Sequence, residues 1–380
     1  MRSETKSKSG AGLGGLTDGL HGWWRRATTW QRWAVYVALI AVAAVLPHPA
    51  IGSIMSPSGD WVGVLGQPIG IYVLLAVGLN VVVGQAGLLD LGYVAFFAIG
   101  AYTWAYMGTQ LGWTFWPTVP IAIVLTALAG VILGAPTLRL RGDYLAIVTL
   151  GFGEIVRIVA VNAKPLGAAV GLSGVPAPVL PGLDFTNNAP AFYYLILGLI
   201  VLVIIFSWRL EHSRVGRAWA AIREDEDAAE LMGVPTFKFK LLAFFIGAMI
   251  GGLAGSVYAG QLNYANPGMF PFILSATILV CVVFGGSGNL PGVILGAFVI
   301  AWLPEFLRAF EVTIFDYRLE EFRMLFFGLI LVIMMIFRPE GLLPSRRRRA
   351  ELAEGTGGMG SMGAEVAGPG ADTTQEAVSK

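Results

Sequence analysis

Residues 209–240 read RLEHSRVGRAWAAIREDEDAAELMGVPTFKFK. Six Lys and Arg residues fall in this stretch, and Glu224, Asp225, Glu226, Asp227 and Glu230 sit among them. Long apolar runs flank it, Ala191–Trp208 before and Leu241–Leu262 after. In a chain that is 56% hydrophobic and only 13% charged, an interior segment this polar cannot lie among lipid tails and must face water on one side of a membrane. A soluble domain carries about a quarter charged residues, so the composition points to an all-α, polytopic integral membrane protein.

Working outward, the remaining apolar runs are Trp33–Leu46, Val62–Val83, Leu88–Met107, Thr118–Ala135, Tyr144–Val161, Phe272–Phe284, Val293–Leu307 and Met324–Phe337. Together with the two flanking runs they predict about ten transmembrane helices with both termini cytoplasmic. That arrangement puts nearly every Lys and Arg cluster on the inner side. Residues 1–22 are expected to be a disordered cytoplasmic tail, 23–344 the transmembrane domain with its inner loop at 209–240, and 345–380 a basic anchor and a second disordered cytoplasmic tail. Arg346–Arg349, directly after the last run, suit contact with membrane lipid. A net charge of +1 speaks against a nucleic-acid partner. Cys281 is the only cysteine and the three histidines are scattered, so neither a metal site nor an internal disulfide is expected.

Within the charged island, Val215, Ala218, Trp219 and Ile222 recur at helical spacing, and Gly233 before Pro235 supplies a stop. A short helix with one small, apolar face and one charged face can enter a groove on a soluble partner. The competing role, an amphipathic helix lying on the inner headgroups, is opposed by its five acidic residues, because the inner leaflet is itself negative.

GRAWAAIREDEDAAELMGV, Gly216–Val234, resembles the coupling-helix loop of ABC importer permeases. Four further strings resemble the LivM-type permeases of branched-chain amino acid importers: Gly78–Tyr102, Leu138–Ile158, Val283–Ala297 and Phe337–Pro344. The resemblance implies that Arg217, Ala221, Arg223, Glu224, Asp225, Ala228, Ala229 and Gly233 couple this chain to an ATPase. It further implies a homologous permease, two cytoplasmic ATPases and an extracytoplasmic binding protein as partners, in a bacterial plasma membrane. ATP and Mg would be held by the ATPases and no cofactor by this chain, which is then not itself an enzyme; none of its six lysines follows the Gly-rich spacing of a phosphate-binding loop. The Gly171–Pro176 loop lacks the Thr- and Asn-containing string usual in the family, which leaves urea or a short-chain amide as an alternative substrate.

Two glycine-interrupted segments, Gly84–Gly92 and Gly285–Gly292, occupy corresponding positions in the two halves: Gly84-Gln-Ala-Gly87 is echoed by Gly285-Gly-Ser-Gly288, each with another glycine soon after, Gly92 and Gly292. Paired breaks of this kind point to a substrate route, because freed backbone groups must line a cavity rather than face lipid. Asn80, Gly84, Gln85, Gly87, Asp90, Gly285, Gly286, Gly288 and Asn289 are therefore candidate pathway residues, and plain inner turns are the alternative. Phe272–Phe284, at thirteen residues, is short enough for a half-helix. Glu154 and Arg157 share a helix face and can form an intramembrane ion pair. At roughly 15 Å of depth Glu154 is either a structural tie between packed helices or, in an ion-coupled secondary transporter, a proton carrier.

Overall fold

The computed structural model describes residues 38, 41–55, 60–138, 143–180, 183–185 and 188–308, with short pieces at 313–314, 317–318, 328–329, 332 and 341–343. The chain divides into two compact units, Met1–Ile54 and Met55–Lys380. In the first, residues 41–45 are helical. The second contains all that follows: α1 (Trp61–Gln85), α2 (Val94–Gln110), α3 (Phe115–Thr137), α4 (Asp143–Asn162), α5 (Ala189–Glu211), α6 (Arg214–Glu224), α7 (Glu226–Leu231), α8 (Thr236–Leu262), α9 (Phe272–Gly285) and α10 (Leu290–Arg308).

Six helices among the described residues are long and apolar enough to cross a membrane: α1, α3, α4, α5, α8 and the segment Pro267–Gly285. The protein is a helical, multi-pass membrane protein. The expected tenth run, Met324–Phe337, lies almost wholly outside the described residues, as do both tails, Arg346–Arg349 and much of Trp33–Leu46. Helix is the expected form for these runs, since hydrocarbon offers no partner for backbone N–H and C=O groups.

The long α8 helix is the centre. Within its most apolar window 72% of residues are buried, against 22% in α5 and 28% in α4. Its small residues allow backbones to meet, the packing mode that serves when lipid is as apolar as the interface. A methyl group added to Gly100 of α2 would fall on Gly252 O, and one on Gly255 would fall on Phe97 O. Ser256 Oγ donates to Gly100 O across the same seam, 3.1 Å. On the other side Gly130 of α3 meets Ala248, 2.8 Å from a Cβ built on the glycine.

Two expected runs are redrawn. Leu88–Met107 is not one helix: Leu88–Tyr93 is irregular and α2 begins only at Val94. The reason is local, since Gly87 has φ +73°, a region that favours glycine, and Asp90 caps the turn by accepting from Gly92 N–H at 2.8 Å. Phe272–Phe284 is not an isolated thirteen-residue piece, because a short turn at Pro267–Met269 leads into it and the combined segment reaches 19 residues. Elsewhere the expected helices shift by a few residues, most of all α8, which absorbs Thr236–Lys240 from the charged island.

At the end remote from the island, the Gly171–Pro176 loop is tied to the turn after α8. Leu172 pairs with Ala265 in a two-residue antiparallel ladder, and Asn263 Nδ2 donates to Val175 O at 2.9 Å. Asn266 Nδ2 adds a bond to Val170 O, also 2.9 Å.

Candidate functional site

The charged island folds as two short helices held by local chemistry. Ser213 starts α6, its Oγ accepting from Val215 N–H at 3.1 Å. Asp225 then leaves the helical region at φ −156°, ψ 112°, and its Oδ1 accepts from Ala228 N–H at 3.0 Å, so one residue ends α6 and caps α7. Gly233, at φ +86°, stops α7 in the left-handed conformation expected of a terminating glycine.

Two links fasten this pair to the base of α8. Trp219 is fully buried and donates through Nε1 to Phe239 O at 2.7 Å. Glu226 pairs with Lys240, whose ammonium is buried. Neither link is legible in the sequence, where Trp219 is one apolar helical position among several and Lys240 is the last residue of the island. Arg217, Glu224, Asp225, Ala228 and Gly233 are exposed, whereas Ala221 and Arg223 are half-buried and Ala229 is buried. Two large apolar side chains at the tip are almost fully exposed, Leu231 at 90% and Met232 at 85%.

Arg223 points inward, and around it the two glycine breaks meet. Its Nη1 donates to Gly84 O. Its methylenes cover Gly87, where an added Cβ would lie 2.9 Å from Arg223 Cγ. An added Cβ on Gly288, at φ +83°, would stand 3.0 Å from Arg223 Nη1. The breaks also bond to each other directly, since Asn80 Oδ1 accepts from Gly288 N–H at 2.9 Å. Gly84 must be glycine for this to happen: a Cβ there would fall on Asn80 Oδ1 and come within 2.6 Å of Gly288 N.

A third strand of chain closes the second break. Leu342 N–H donates to Phe284 O at 2.8 Å, Leu343 N–H to Gly285 O at 3.1 Å, and Asn289 Nδ2 to Leu343 O at 2.6 Å. A Cβ on Gly341 would stand 2.7 Å from Gly286 N. Asp90 is buried, with Oδ2 lacking a hydrogen-bond partner among the described residues. The same holds for Asn80 Nδ2 and Gln85 Oε1. Beside Asp90, Leu91 N–H donates to Thr149 Oγ1 at 3.0 Å, and a Cβ on Gly92 would fall on Thr149 O, so the break also seats against α4.

Thus Asn80, Gly84, Gly87, Gly288 and Arg223 form one cluster, with Gly285, Gly286 and Asn289 behind it. Glu154 and Arg157 stand apart on α4, where Arg157 Nε donates to Glu154 Oε2 at 2.8 Å.

A family model described as the branched-chain amino acid transport system permease component matches residues 67–335. The chain belongs to that family. It is 43% identical over 308 residues to the high-affinity branched-chain amino acid transport system permease protein LivM of Escherichia coli, covering 75% of this chain and 70% of that one. It is 27% identical over 305 residues to the corresponding permease BraD of Pseudomonas aeruginosa, covering 72% and 91%. The autoinducer 2 import system permease LsrC of Salmonella typhimurium is 26% identical over 231 residues, covering 53% and 64%. No solved structure matches this permease.

Proposed function

We propose that this permease carries branched-chain amino acids inward across a bacterial plasma membrane as the membrane subunit of an ATP-driven importer. Its partners would be a homologous permease, two cytoplasmic ATPases holding ATP and Mg, and an extracytoplasmic binding protein. The substrate assignment is supported by the 43% identity to a LivM permease, whereas LsrC, with a different named cargo, is more distant at 26%.

The observation that carries the mechanism is the position of Arg223. A push on α6 and α7 reaches α8 through Trp219 and the Glu226–Lys240 pair, and reaches both glycine breaks through Arg223. In this reading Leu231 and Met232 enter the ATPase groove, with the surrounding charges setting orientation. Closure of the ATPases on ATP moves α6 and α7. The Asn80–Gly288 bond then breaks or re-forms, which switches the path between its two open ends.

The test is uptake by proteoliposomes holding the whole complex. ATP-dependent accumulation of labelled leucine, undiminished by excess urea, is expected. Uptake driven by a proton or sodium gradient without the ATPase subunits, or competition by urea, would overturn the assignment.

A further inference from the structure

The Glu154–Arg157 pair is not placed as a tie between two helices of this chain. Glu154 is eleven residues from Asp143 and eight from Asn162, hence about 17 Å and about 12 Å from the ends of α4 at about 1.5 Å per residue. That is mid-span in a hydrocarbon core of roughly 30 Å. An ion pair tying two packed helices would be buried between them. Here the side chains of Arg157 and Glu154 are 37% and 33% exposed, and both belong to the same helix.

The face they flank is open. Ile147, Gly151 and Ile158 share the side of Glu154 at helical spacing; the two isoleucines are 64% and 52% exposed, and a Cβ on Gly151 would meet nothing within 4 Å. The opposite face holds Ala146, Thr149, Gly153 and Ala160, all buried. Ionisable groups at this depth face protein or a water-filled cavity rather than lipid. Tyr144, Val148, Ile155 and Val159, exposed on the adjoining side of α4, suit lipid; the edge that carries Glu154 and Arg157 calls for protein or water.

The pair is also incompletely used. Arg157 engages Glu154 through Nε alone, so its two terminal nitrogens, and Glu154 Oε1, make no hydrogen bond among the described residues. A free guanidinium fork matches a carboxylate in two parallel bonds, and a free carboxylate oxygen accepts from an ammonium. An α-amino acid presents both groups on one carbon, with its side chain free to lie on Ile147 and Ile158.

We propose that Glu154 and Arg157 form a binding station for the zwitterionic head of an amino acid in transit, and that the Ile147–Ile158 face is one wall of the water-filled path, closed opposite by the partner permease. The proposal deepens the reading of this chain as an amino acid permease and rests on it.

The test uses the complete importer in proteoliposomes, with Ile158→Cys as reporter; Cys281, the only cysteine of the chain, is buried, and unsubstituted complex serves as the labelling blank. A charged methanethiosulfonate should modify residue 158, and leucine with binding protein and ATP should slow that modification at least fivefold. Glu154→Gln and Arg157→Gln, each checked for assembly with the partner subunits, should each cut leucine uptake at least tenfold and abolish the protection. No modification of an assembled Ile158→Cys complex, or modification that leucine leaves unchanged, overturns the station. Failure of unsubstituted complex to accumulate any amino acid would instead overturn the functional reading, and the labelling result would stand apart from it.

Discussion

Gly84→Ala is the most direct probe of the junction between the two glycine breaks. The added methyl would fall on Asn80 Oδ1 and stand 2.6 Å from Gly288 N, the two ends of one hydrogen bond. Asn80 can swing away, but only by leaving its partner, and Asn80 is fully buried. Losing a bond between buried groups costs about 1–3 kcal/mol. Displacing the Gly288 backbone adds an overpacking cost of about 1–3 kcal/mol. Taking the lower half of each range, a total of about 3 kcal/mol disfavours the joined arrangement roughly 100-fold, at about 1.4 kcal/mol per decade. The assay is the rate at which a maleimide modifies a cysteine at partly exposed Ser287, in solubilised complex, with and without Gly84→Ala. The rate should rise by about two decades if opening limits modification. Asn80→Ala, which removes the bond without the clash, should raise it about fivefold, since a single hydrogen bond is worth about 1 kcal/mol. In the double variant the obstructing oxygen is gone, so the two effects should fall short of their sum. A folded Gly84→Ala protein labelled within twofold of its parent, or strict additivity of the pair, would refute the claim that this bond holds the breaks together.

Arg223→Ala removes a charge-assisted bond to Gly84 O worth about 1.5–3 kcal/mol, and should lower leucine uptake roughly 10- to 100-fold while ATP hydrolysis by the assembled complex persists. Equal loss of both activities would show instead that Arg223 serves assembly. Glu226→Gln strands the buried Lys240 ammonium; because the carboxylate is 27% exposed, the expected loss is about 1–3 kcal/mol rather than the larger value for a fully buried pair, read as earlier thermal inactivation of the solubilised protein. Leu231→Ser and Met232→Ser should each weaken ATPase copurification about tenfold with little change in the stability of the isolated permease, since both side chains are free of its core. Unchanged copurification in the double variant would move the docking surface elsewhere on the island.

The sequence by itself determined the membrane class, the position of most helices and the location of the input element. Long apolar runs leave the backbone no option but helix, and a cluster of charge between them has to reach water. It also marked both glycine breaks, because glycine where a chain turns out of a helix is a local, one-dimensional signal. It left open how far the first break runs, since Leu88, Leu89 and Leu91 are apolar and only the Gly87 conformation and the Asp90 cap keep Leu88–Tyr93 out of the helix. Nor did it reveal which residue of the island faces inward. Arg223 sits in a run of five charges, and only the packing of α6 against α1 and α8 separates it from the exposed Glu224 and Asp225. Gly84 and Gly288 lie two hundred residues apart, and their contact follows from how closely small residues let α1, α2 and α8 approach, a property of the assembled bundle rather than of any segment. The exposure of Glu154 and Arg157 is likewise a tertiary result: spacing predicted the pair, but only the arrangement of neighbouring helices left that face of α4 uncovered.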